Sequence, residues 1–448
     1  MSNLMNFRHL NISFSTTLLK ILPFAEKRLL DLPKCVKNLI NLRDIDTSFS
    51  MSLGNILPFA ESESHSNSLS RLISTPPGMG KLTCLQTLLN FVVTKRSGCG
   101  IEELKSLVDL RGSLCISKLE NVTTTERAKE ADLKSKHHLH ELTLRWSEEN
   151  PLNLWNDVHK EGVLECLHPN KNVKVLRIEN FGGRDFYGDG MVVGFPSLEK
   201  LEMKDMPNLE HWSGFEAGEI PCLCELTIWD CPKMTELPNL PSIITTLEIV
   251  NCRGFESFPM LHSIQKLVFG KCNEVVLKSF ACFICHSSLT ISTCTELKYL
   301  PDGLLQNLTS LKELKIIDCD ELTFLTQEQN LHKLSSLEYL EICCCPQFKS
   351  LKDEYLLSTL KSFRIVSCPC LTSLPEEMQH LSTLHLLDVW NCPELSSLPG
   401  KDMPASLQLF WVRRCPALKE RCHDKGEDWP KILHIPNIRI NLEWIQHS

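Results

Sequence analysis

The stretch LKELKIIDCDEL at residues 311–322 sets the architecture of this chain, because its pattern recurs through the second half of the sequence. The pattern is L-x-x-L-x-L-x-x-C-x-x-L, with other aliphatic residues in place of some leucines. From residue 198 onward it occurs ten times; the ninth position is Met206 in the first copy and cysteine in the other nine, at intervals of 20 to 26 residues. Such self-similarity predicts a stack of equivalent structural units. The copies begin at Leu198, Leu223, Ile244, Ile264, His286, Leu311, Leu337, Leu360, Leu384 and Leu407.

The repeated pattern has a direct physical explanation. Apolar residues at its fourth and sixth positions alternate with others, so each copy predicts a short β-strand with its leucines on one side. The chain is expected to turn at the ninth position, where cysteine is small and tolerates burial. No unit can bury its leucine face alone, so neighbouring units have to stack. The spacing predicts leucine-rich repeats: an α/β solenoid of horseshoe form with about sixteen repeats, a parallel β-sheet on the concave face, and short helices or irregular segments on the convex face.

The first half of the chain follows the same pattern with looser spelling. Residues 4–26 and 39–61 align without gaps at an offset of 35, and 13 of the 23 positions are identical, which indicates a duplicated unit. The changes in spacing and composition along the chain predict four parts. These are N-terminal repeats with the duplicated unit (1–90), a bridge segment with irregular repeats and helices (91–165), regular repeats (166–418) and a closing segment (419–448).

Two stretches between strands predict helices. One begins with Thr123-x-x-Glu126, which has the form of a capping box, and runs toward a cluster of histidines at His137, His138 and His140. Those histidines are expected at the helix C-terminus, where cations are favoured. The other stretch, WNDVHKEGVLECLHP, ends at Pro169.

Composition narrows the class of protein. The net charge of −8 argues against a broad basic surface for nucleic acid. No run of eighteen apolar residues predicts a membrane span, and the N-terminus MSNLMNFRHLNISF lacks the pattern of a secretory signal. The cytoplasm is therefore the predicted location, where the 22 cysteines are expected to be thiols.

Metal, cofactor and catalytic sites find little support in the sequence. Two groups resemble halves of zinc sites: Cys282, Cys285, His286 and Cys294, and the run 343–345. A second ligand pair at a standard spacing is missing for both. The glycine-rich segment 181–190 lacks the G-K-[ST] of a phosphate loop, and no catalytic motif is found. We therefore predict no enzyme and no catalytic, cofactor-binding or metal-binding residues.

Four features carry a resemblance to a known family. They are LTCLQTLLNFVVTKRSGCGIEELKSLVDLRGSLCISKLENV (82–122), KEADLKSKHHLHELTLRW (129–146), LKERCHDKGEDWPKILHIPNIRI (418–440), and the Cys-Pro turns at Cys231, Cys345, Cys392 and Cys415. Together they resemble the leucine-rich-repeat region of plant nucleotide-binding disease-resistance proteins of the coiled-coil class. Full receptors of that family place a nucleotide-binding domain before the repeats. The motif G-x-x-x-x-G-K-[ST] is absent here, so nucleotide binding is not carried over.

The resemblance implies a non-enzymatic protein-recognition module of an intracellular immune receptor. Such a module acts in defence by recognising pathogen proteins and by restraining a nucleotide-binding switch. The implied partners are a pathogen effector or a guarded host protein, and a nucleotide-binding domain in cis or in trans. Two alternatives stay open: a substrate-receptor subunit of a ubiquitin ligase, and an inactive truncated gene product.

The geometry of the repeat nominates a binding surface. Residues at the third, fifth, seventh and eighth positions flank the inward leucines and are expected on the concave face. Tryptophan and arginine are enriched in binding hot spots, so the tryptophans and arginines at these positions are the candidate protein-binding residues. They are Trp229, Trp390, Trp411, Arg413, Arg414 and Arg364.

Overall fold

The computed structural model describes most of the chain. The described residues are 9–11, 30–31, 41–46, 72–147, 157–186, 194–212, 218–272, 274–279, 285–301, 304–305, 308–326, 331–351, 358–400, 402–441 and 443–446. The chain forms two compact units, Met1–Leu223 and Cys224–Ser448.

The first unit consists mainly of short parallel strands. In chain order they are β1 (His9–Asn11), β2 (Leu30–Asp31), β3 (Asp44–Asp46), β4 (Leu72–Ser74), β5 (Thr87–Leu88), β6 (Asn90–Val92), β7 (Arg111–Ser117), β8 (His138–Arg145), β9 (Val175–Glu179), β10 (Asp185–Phe186), β11 (Lys200–Lys204) and β12 (His211–Trp212). The main sheet runs in the order β6, β7, β8, β9, β11, and all its neighbours are parallel. β1, β3 and β5 form a second parallel sheet. The pairs β2 with β4 and β10 with β12 are parallel as well.

The duplication seen in the sequence reappears as strand register. β1 pairs with β3 so that His9 lies opposite Asp44 and Asn11 opposite Asp46, an offset of 35 residues. Equivalent positions of the two copies therefore meet across the sheet. The rest of both copies lies largely outside the described residues.

The second unit repeats one arrangement. Its strands are β13 (Glu225–Trp229), β14 (Thr246–Val250), β15 (Lys266–Gly270), β16 (Ser288–Ser292), β17 (Glu313–Ile317), β18 (Tyr339–Cys343), β19 (Ser362–Val366), β20 (Leu386–Trp390), β21 (Leu409–Arg413), β22 (Asn437–Ile440) and β23 (Glu443–Gln446). From β13 to β22 every strand pairs in parallel with the next one in the chain. β23 pairs antiparallel with β22.

The strand register places the same repeat position of each copy in one row. Leu289 lies opposite Leu314, and Leu314 lies opposite Leu340. These fourth-position leucines and the sixth-position aliphatic residues are at most 1% exposed, whereas in β16, β17 and β18 the residue between them is partly exposed. A period of two with one buried face is what stacked units require. The prediction of a leucine-rich-repeat solenoid with a parallel sheet is confirmed.

The helices found among the described residues are short. The α-helices are α1 (Thr125–Glu130), α2 (Asp157–Leu167), α3 (Glu274–Ser279), α4 (Pro416–Arg421) and α5 (Trp429–Ile432). Segments of 3₁₀-helix span Met79–Lys81, Ile101–Ser106, Leu119–Asn121, Leu133–Ser135, Leu331–Lys333 and Met378–His380.

The prediction for the first helix was partly wrong. The capping residue of α1 is Thr124, not Thr123: its hydroxyl accepts a hydrogen bond from the N–H of Arg127 at 3.3 Å. The helix ends at Glu130 and Asp132 adopts a left-handed conformation, so the histidines lie beyond the helix, and His138 begins β8. Pairing of that strand with β7 outweighs the helical pattern. The second predicted helix is confirmed as α2, which ends before His168 and Pro169.

The turn after each strand begins one residue earlier than the sequence indicated. In all ten regular copies the eighth residue has a left-handed backbone, with φ between 51° and 56°, so the strand stops at the seventh position. In the eight copies from Asp230 to Asn391 its N–H donates to the carbonyl of the seventh residue in the next repeat. Examples are Thr293 to Ile317 at 2.8 Å and Ser367 to Trp390 at 2.7 Å. The left-handed residue thus turns the chain and still extends the hydrogen-bond ladder.

The ninth-position cysteines are buried hydrogen-bond donors. Each of the nine is at most 5% exposed, and each thiol donates to the carbonyl of its own seventh residue at 3.3 to 3.5 Å. Four also approach the sixth-residue carbonyl of the preceding repeat, as Cys252 does for Ile228 at 3.6 Å. We call these nine residues the thiol ladder. In eight of the nine repeats this carbonyl also accepts the N–H of the preceding repeat's eighth residue, so the thiol supplies its second hydrogen bond.

Thr293 tests the importance of the left-handed position. A β-branched residue at positive φ is sterically unfavourable, and its N–H has to be kept. Thr293→Gly is therefore expected to raise the free energy of unfolding by about 1 kcal/mol, measured by urea denaturation. The control is Thr290→Gly, inside β16, which is expected to lower it by about 1 kcal/mol. Equal destabilisation by both variants would contradict the role given to the eighth position.

Candidate protein-binding surface

The residues at the third, fifth and seventh positions of each repeat point away from the leucine core. These residues form one side of the sheet, which we call the outer face. It is the side that the repeat pattern predicts to be concave. In β21, for example, Leu409, Trp411 and Arg413 are half-buried while Phe410 and Val412 are buried. The alternation follows from the pleat of the strand. Side chains on the outer face are therefore not needed to fill the core.

An ion-pair network lies at the centre of the candidate surface. Asp388 is fully buried, and its carboxylate accepts two hydrogen bonds from Nη2 of Arg413, at 2.9 and 3.1 Å. On its other side, Nε of Arg364 donates to Asp388 at 3.4 Å, and Nη1 donates to Glu341 at 3.2 Å. The register explains the contacts, because Glu341, Arg364 and Asp388 occupy the fifth position of consecutive strands.

Two tryptophans flank this network. The guanidinium of Arg413 lies over the ring of Trp390, with its central carbon 4.9 Å from the ring centroid. Trp411 follows Asp388 in the fifth-position row. Its indole N–H is buried without an acceptor among the described residues, as is Nε of Arg413. The ion pairs and the stacking hold the arginine and Trp390 together, so the surface is ordered before any partner binds.

The remaining candidate residues differ in position. Arg414 is exposed at the left-handed eighth position, and its backbone N–H donates to Oδ1 of Asn441 at 3.0 Å. Trp229 lies on β13, with six strands between it and Trp390 on β20. Five of the six predicted residues therefore share one region, and Trp229 does not belong to it.

The sequence did not single out four residues that the structure adds. Glu341 and Tyr339 pair with Arg364; Tyr339 accepts from Nη1 of Arg364 at 3.3 Å and donates to Glu341 at 2.8 Å. Burial raises the pKa of Tyr339 to about 12, which keeps this donor protonated. Arg439 lies next to Trp411 in the fifth-position row and stacks on Trp444 at 5.5 Å. Alternating charge along the fifth positions could have revealed Glu341.

The outer face of the first unit has a different character. Arg177 binds Glu141 at 3.1 Å and Glu202 at 3.2 Å, and Glu202 also binds Lys200 at 3.0 Å and Lys204 at 3.1 Å. These charges compensate one another, and no tryptophan stacks on the arginine among the described contacts. The arginine and tryptophan cluster of β19–β21 is thus the stronger candidate for binding.

Asp388 holds two cations that would otherwise repel each other. Asp388→Asn is expected to lower the free energy of unfolding by about 2 kcal/mol, because it removes a charge that accepts hydrogen bonds from both arginines. Tryptophan fluorescence should also change as Arg413 leaves Trp390. Asp402→Asn, at an exposed position, is the control in the same urea titration. If both variants have the same free energy of unfolding, the network does not stabilise the sheet.

The described part of the chain contains no helix with the length and apolarity needed to cross a bilayer.

Comparison with known proteins places the chain among plant relatives. Residues 101–231 match the family model of R13L1/DRL21 leucine-rich repeats. RGA1, a candidate disease-resistance protein of Solanum bulbocastanum, is 32% identical over 277 residues, which are 55% of this chain and 27% of RGA1. The disease resistance protein RGA2 of the same species is 29% identical over 281 residues, 54% of this chain and 26% of RGA2. The matched region is thus about a quarter of the length of these relatives.

Among solved structures, the chain is similar to a leucine-rich repeat protein from Bacteroides eggerthii. The two share 12% sequence identity with a TM-score of 0.41, and the match covers 92% of this chain and 86% of that one.

Proposed function

This chain is a leucine-rich-repeat protein similar to the repeat region of plant disease-resistance proteins, and from that premise we propose that it is the recognition module of an intracellular immune receptor. It binds a pathogen protein or a guarded host protein, and it restrains a nucleotide-binding switch supplied in cis or in trans. It works in the cytoplasm without catalysing a reaction. The bridge at 91–165 and the closing segment at 419–448 frame the regular repeats at 166–418, after the N-terminal repeats at 1–90.

One observation carries the proposal for the recognition surface. Arg364, Asp388 and Arg413 form a continuous ion-pair chain on the outer face, and Trp390 lies under Arg413. Arginine and tryptophan supply much of the binding energy in protein interfaces, most of all where they are held rigid. The sheet's core does not require these residues at positions that face away from the leucines.

The chemistry of the cluster suits binding. Guanidinium groups stay charged throughout the physiological pH range and so do not exchange protons as acid–base catalysts do. They present planar sets of donors to carboxylates and backbone carbonyls, and the indole rings add apolar area. A protein surface with acceptors and apolar side chains offers the matching groups.

The test uses the whole chain and the nucleotide-binding region that the family resemblance predicts in RGA1, expressed separately. Calorimetry should show saturable binding between the two. Trp390→Ala combined with Trp411→Ala should weaken it about tenfold or more, the loss expected for two hot-spot residues. Met260→Ala, which removes a large exposed side chain from the loop between β14 and β15, is the control.

Two results would contradict the proposal. One is an absence of binding by a chain whose circular dichroism shows that it is folded. The other is equal weakening by the tryptophan pair and by Met260→Ala, which would mean that the outer face does not form the contact.

A further inference from the structure

One row of the outer face in the second unit is apolar although it faces away from the core. It consists of the last residue of each strand from β13 to β20, which is the seventh position of the repeat. We call it the seventh-position row. Its apolar side chains are Trp229, Val250, Ile317, Cys343, Val366 and Trp390. Gly270 and Ser292 lie between Val250 and Ile317.

The neighbouring rows on the same strands are mostly polar. Among the eight third-position residues only Leu386 is aliphatic, and among the eight fifth-position residues only Val268 is. The apolar bias is thus specific to the seventh position and does not reflect a generally apolar surface. Apolar side chains gathered in one row and bordered by polar rows are typical of a binding surface.

The row is shallow and only partly exposed. Trp229, Val250, Ile317 and Trp390 are partly exposed, whereas Cys343 is 9% and Val366 3% exposed. Gly270 is buried, and a Cβ atom there would lie 3.0 Å from both Cγ1 of Val250 and Oγ of Ser292. These two side chains therefore close over the glycine backbone, so a partner meets only the top of the row at this point.

The spacing of the row matches an α-helix lying across the strands. Neighbouring strands are about 4.8 Å apart, so the row is about 34 Å long. Side chains one turn apart on a helix recur about every 5.4 Å, and about 22 residues cover that length. Alternate residues of an extended chain recur at about 6.7 Å and fall out of step with the strands sooner.

The two ends of the row carry opposite charges. Around Trp229, β13 and β14 and the eighth-position residues that follow them carry the acids Glu225, Asp230 and Glu248 on the outer face. The next strand, β15, carries Lys266 and is followed by Lys271. At the other end Arg413 and Arg414 follow Trp390, and Asp388 is buried between its two arginines. A helix has partial positive charge at its N-terminus and partial negative charge at its C-terminus. The charges therefore favour one direction.

We propose that the seventh-position row binds an amphipathic α-helix of a partner protein. The helix lays its apolar side chains along the row, with a basic N-terminal end near Trp229 and an acidic C-terminal end near Arg413. The inference deepens the proposed recognition function and rests on it. It names the structural class and the direction of the partner segment.

The experiment titrates the whole chain with a synthetic peptide of about 22 residues. The peptide carries leucines at helical spacing on an alanine-rich background, lysines in its first turn and glutamates in its last. A second peptide exchanges the lysines and glutamates, and a third has the same composition with the leucines scrambled. The exchanged peptide is the better helix by itself, because acids near the N-terminus stabilise helices. A preference for the first peptide would therefore come from the protein surface.

The first peptide is expected to bind saturably and to gain helical circular dichroism, while the scrambled peptide binds at least about tenfold more weakly. Ile317→Lys should weaken binding about tenfold or more, since it places a charge in the row. Thr290→Lys introduces the same side chain at the fifth position of the adjacent strand and should change affinity less than about twofold.

Equal effects of the two lysine variants, or equal binding of the scrambled peptide, would overturn the proposal. So would binding of the first peptide without a gain in helix, since that would indicate an extended segment. The result of the peptide titration can be told apart from that of the binding test with the nucleotide-binding region. If the peptide fails while the nucleotide-binding region still binds through Trp390 and Trp411, only the helix proposal is wrong.

Discussion

Replacing Asp428 with alanine is expected to loosen the C-terminal end of the second unit and lower its free energy of unfolding by about 3 kcal/mol. Asp428 is fully buried between α4 and α5, where it accepts hydrogen bonds from Nε of Arg421 at 2.8 Å and the N–H of Leu398 at 3.0 Å. Lys431 contacts it at 2.8 Å. Removing the carboxylate leaves two cations and a buried N–H without this partner. The closing segment then loses one of its links to the repeat that begins at Leu384, at the end of the array where a solenoid needs a cap.

Urea denaturation followed by circular dichroism, together with amide hydrogen exchange of β21 and β22, measures this effect. Asp424→Ala, four residues away at a side chain that is 57% exposed, is the matched control. Burial raises the pKa of Asp428, but hydrogen bonds from Arg421 and Lys431 more than offset it, so the pKa is below its usual value. The contribution of Asp428 is thus present at neutral pH and lost as the pH falls through that low pKa. Unchanged exchange in β22 of the Asp428 variant would refute the capping role.

Raising the pH from 8 to 10 is expected to cost about 2 kcal/mol of stability for each ladder thiol whose folded-state pKa is well above 8.5. Burial raises the pKa of Cys272, and it raises that of Cys368 to about 12. A hydrogen bond with the thiol of Cys319, followed by burial, raises that of Cys294. In the unfolded chain these thiols ionise near pH 8.5, so above that pH the folded state binds more protons. Their contribution is complete below pH 8.5 and declines as the pH rises.

The urea midpoint should therefore fall steeply above pH 8.5 under reducing conditions. Cys368→Ala removes one titrating thiol and should make the decline shallower, although it lowers stability at neutral pH by leaving a small cavity. Cys84→Ala, at an exposed thiol outside the ladder, should leave the slope unchanged. Lys136 makes the stability rise with pH over this range, because burial lowers its pKa to about 8. It is a single group, whereas several thiols act in the other direction. A midpoint that stays constant from pH 8 to 10 would contradict the prediction.

Local pattern was sufficient to predict the repeating strand, its parallel stacking and the burial of the thiol ladder. The reason is that a stacked repeat has one long-range rule: equivalent residues meet in neighbouring units. Leu289, Leu314 and Leu340 occupy one row because they occupy one position in the pattern. Arg364 lies beside Asp388 by the same rule, since both occupy the fifth position of their repeats.

Other features depended on energies that no single stretch of sequence shows. The left-handed eighth residue is Asp or Asn in only five of the ten copies, and Thr293 and Arg414 adopt the same conformation. At Thr293 the ladder hydrogen bond to the next repeat outweighs the preference of the residue, whereas the N–H of Arg414 donates to Oδ1 of Asn441. The histidines at 137, 138 and 140 look like the end of a helix, yet pairing with β7 takes His138 and His140 into a strand.

The sequence therefore determined which residues are equivalent, and the tertiary structure decided which of them act together. Trp229 and Trp390 share a repeat position, but six strands separate them, so they mark the two ends of an apolar row instead of one cluster. Arg413 reaches Asp388 and Trp390 of the preceding strand and aligns with Trp390 in the pairing. The physical reason is that equivalence comes from a periodic pattern, whereas contact comes from how side chains of different length and charge share a surface once the strands are paired.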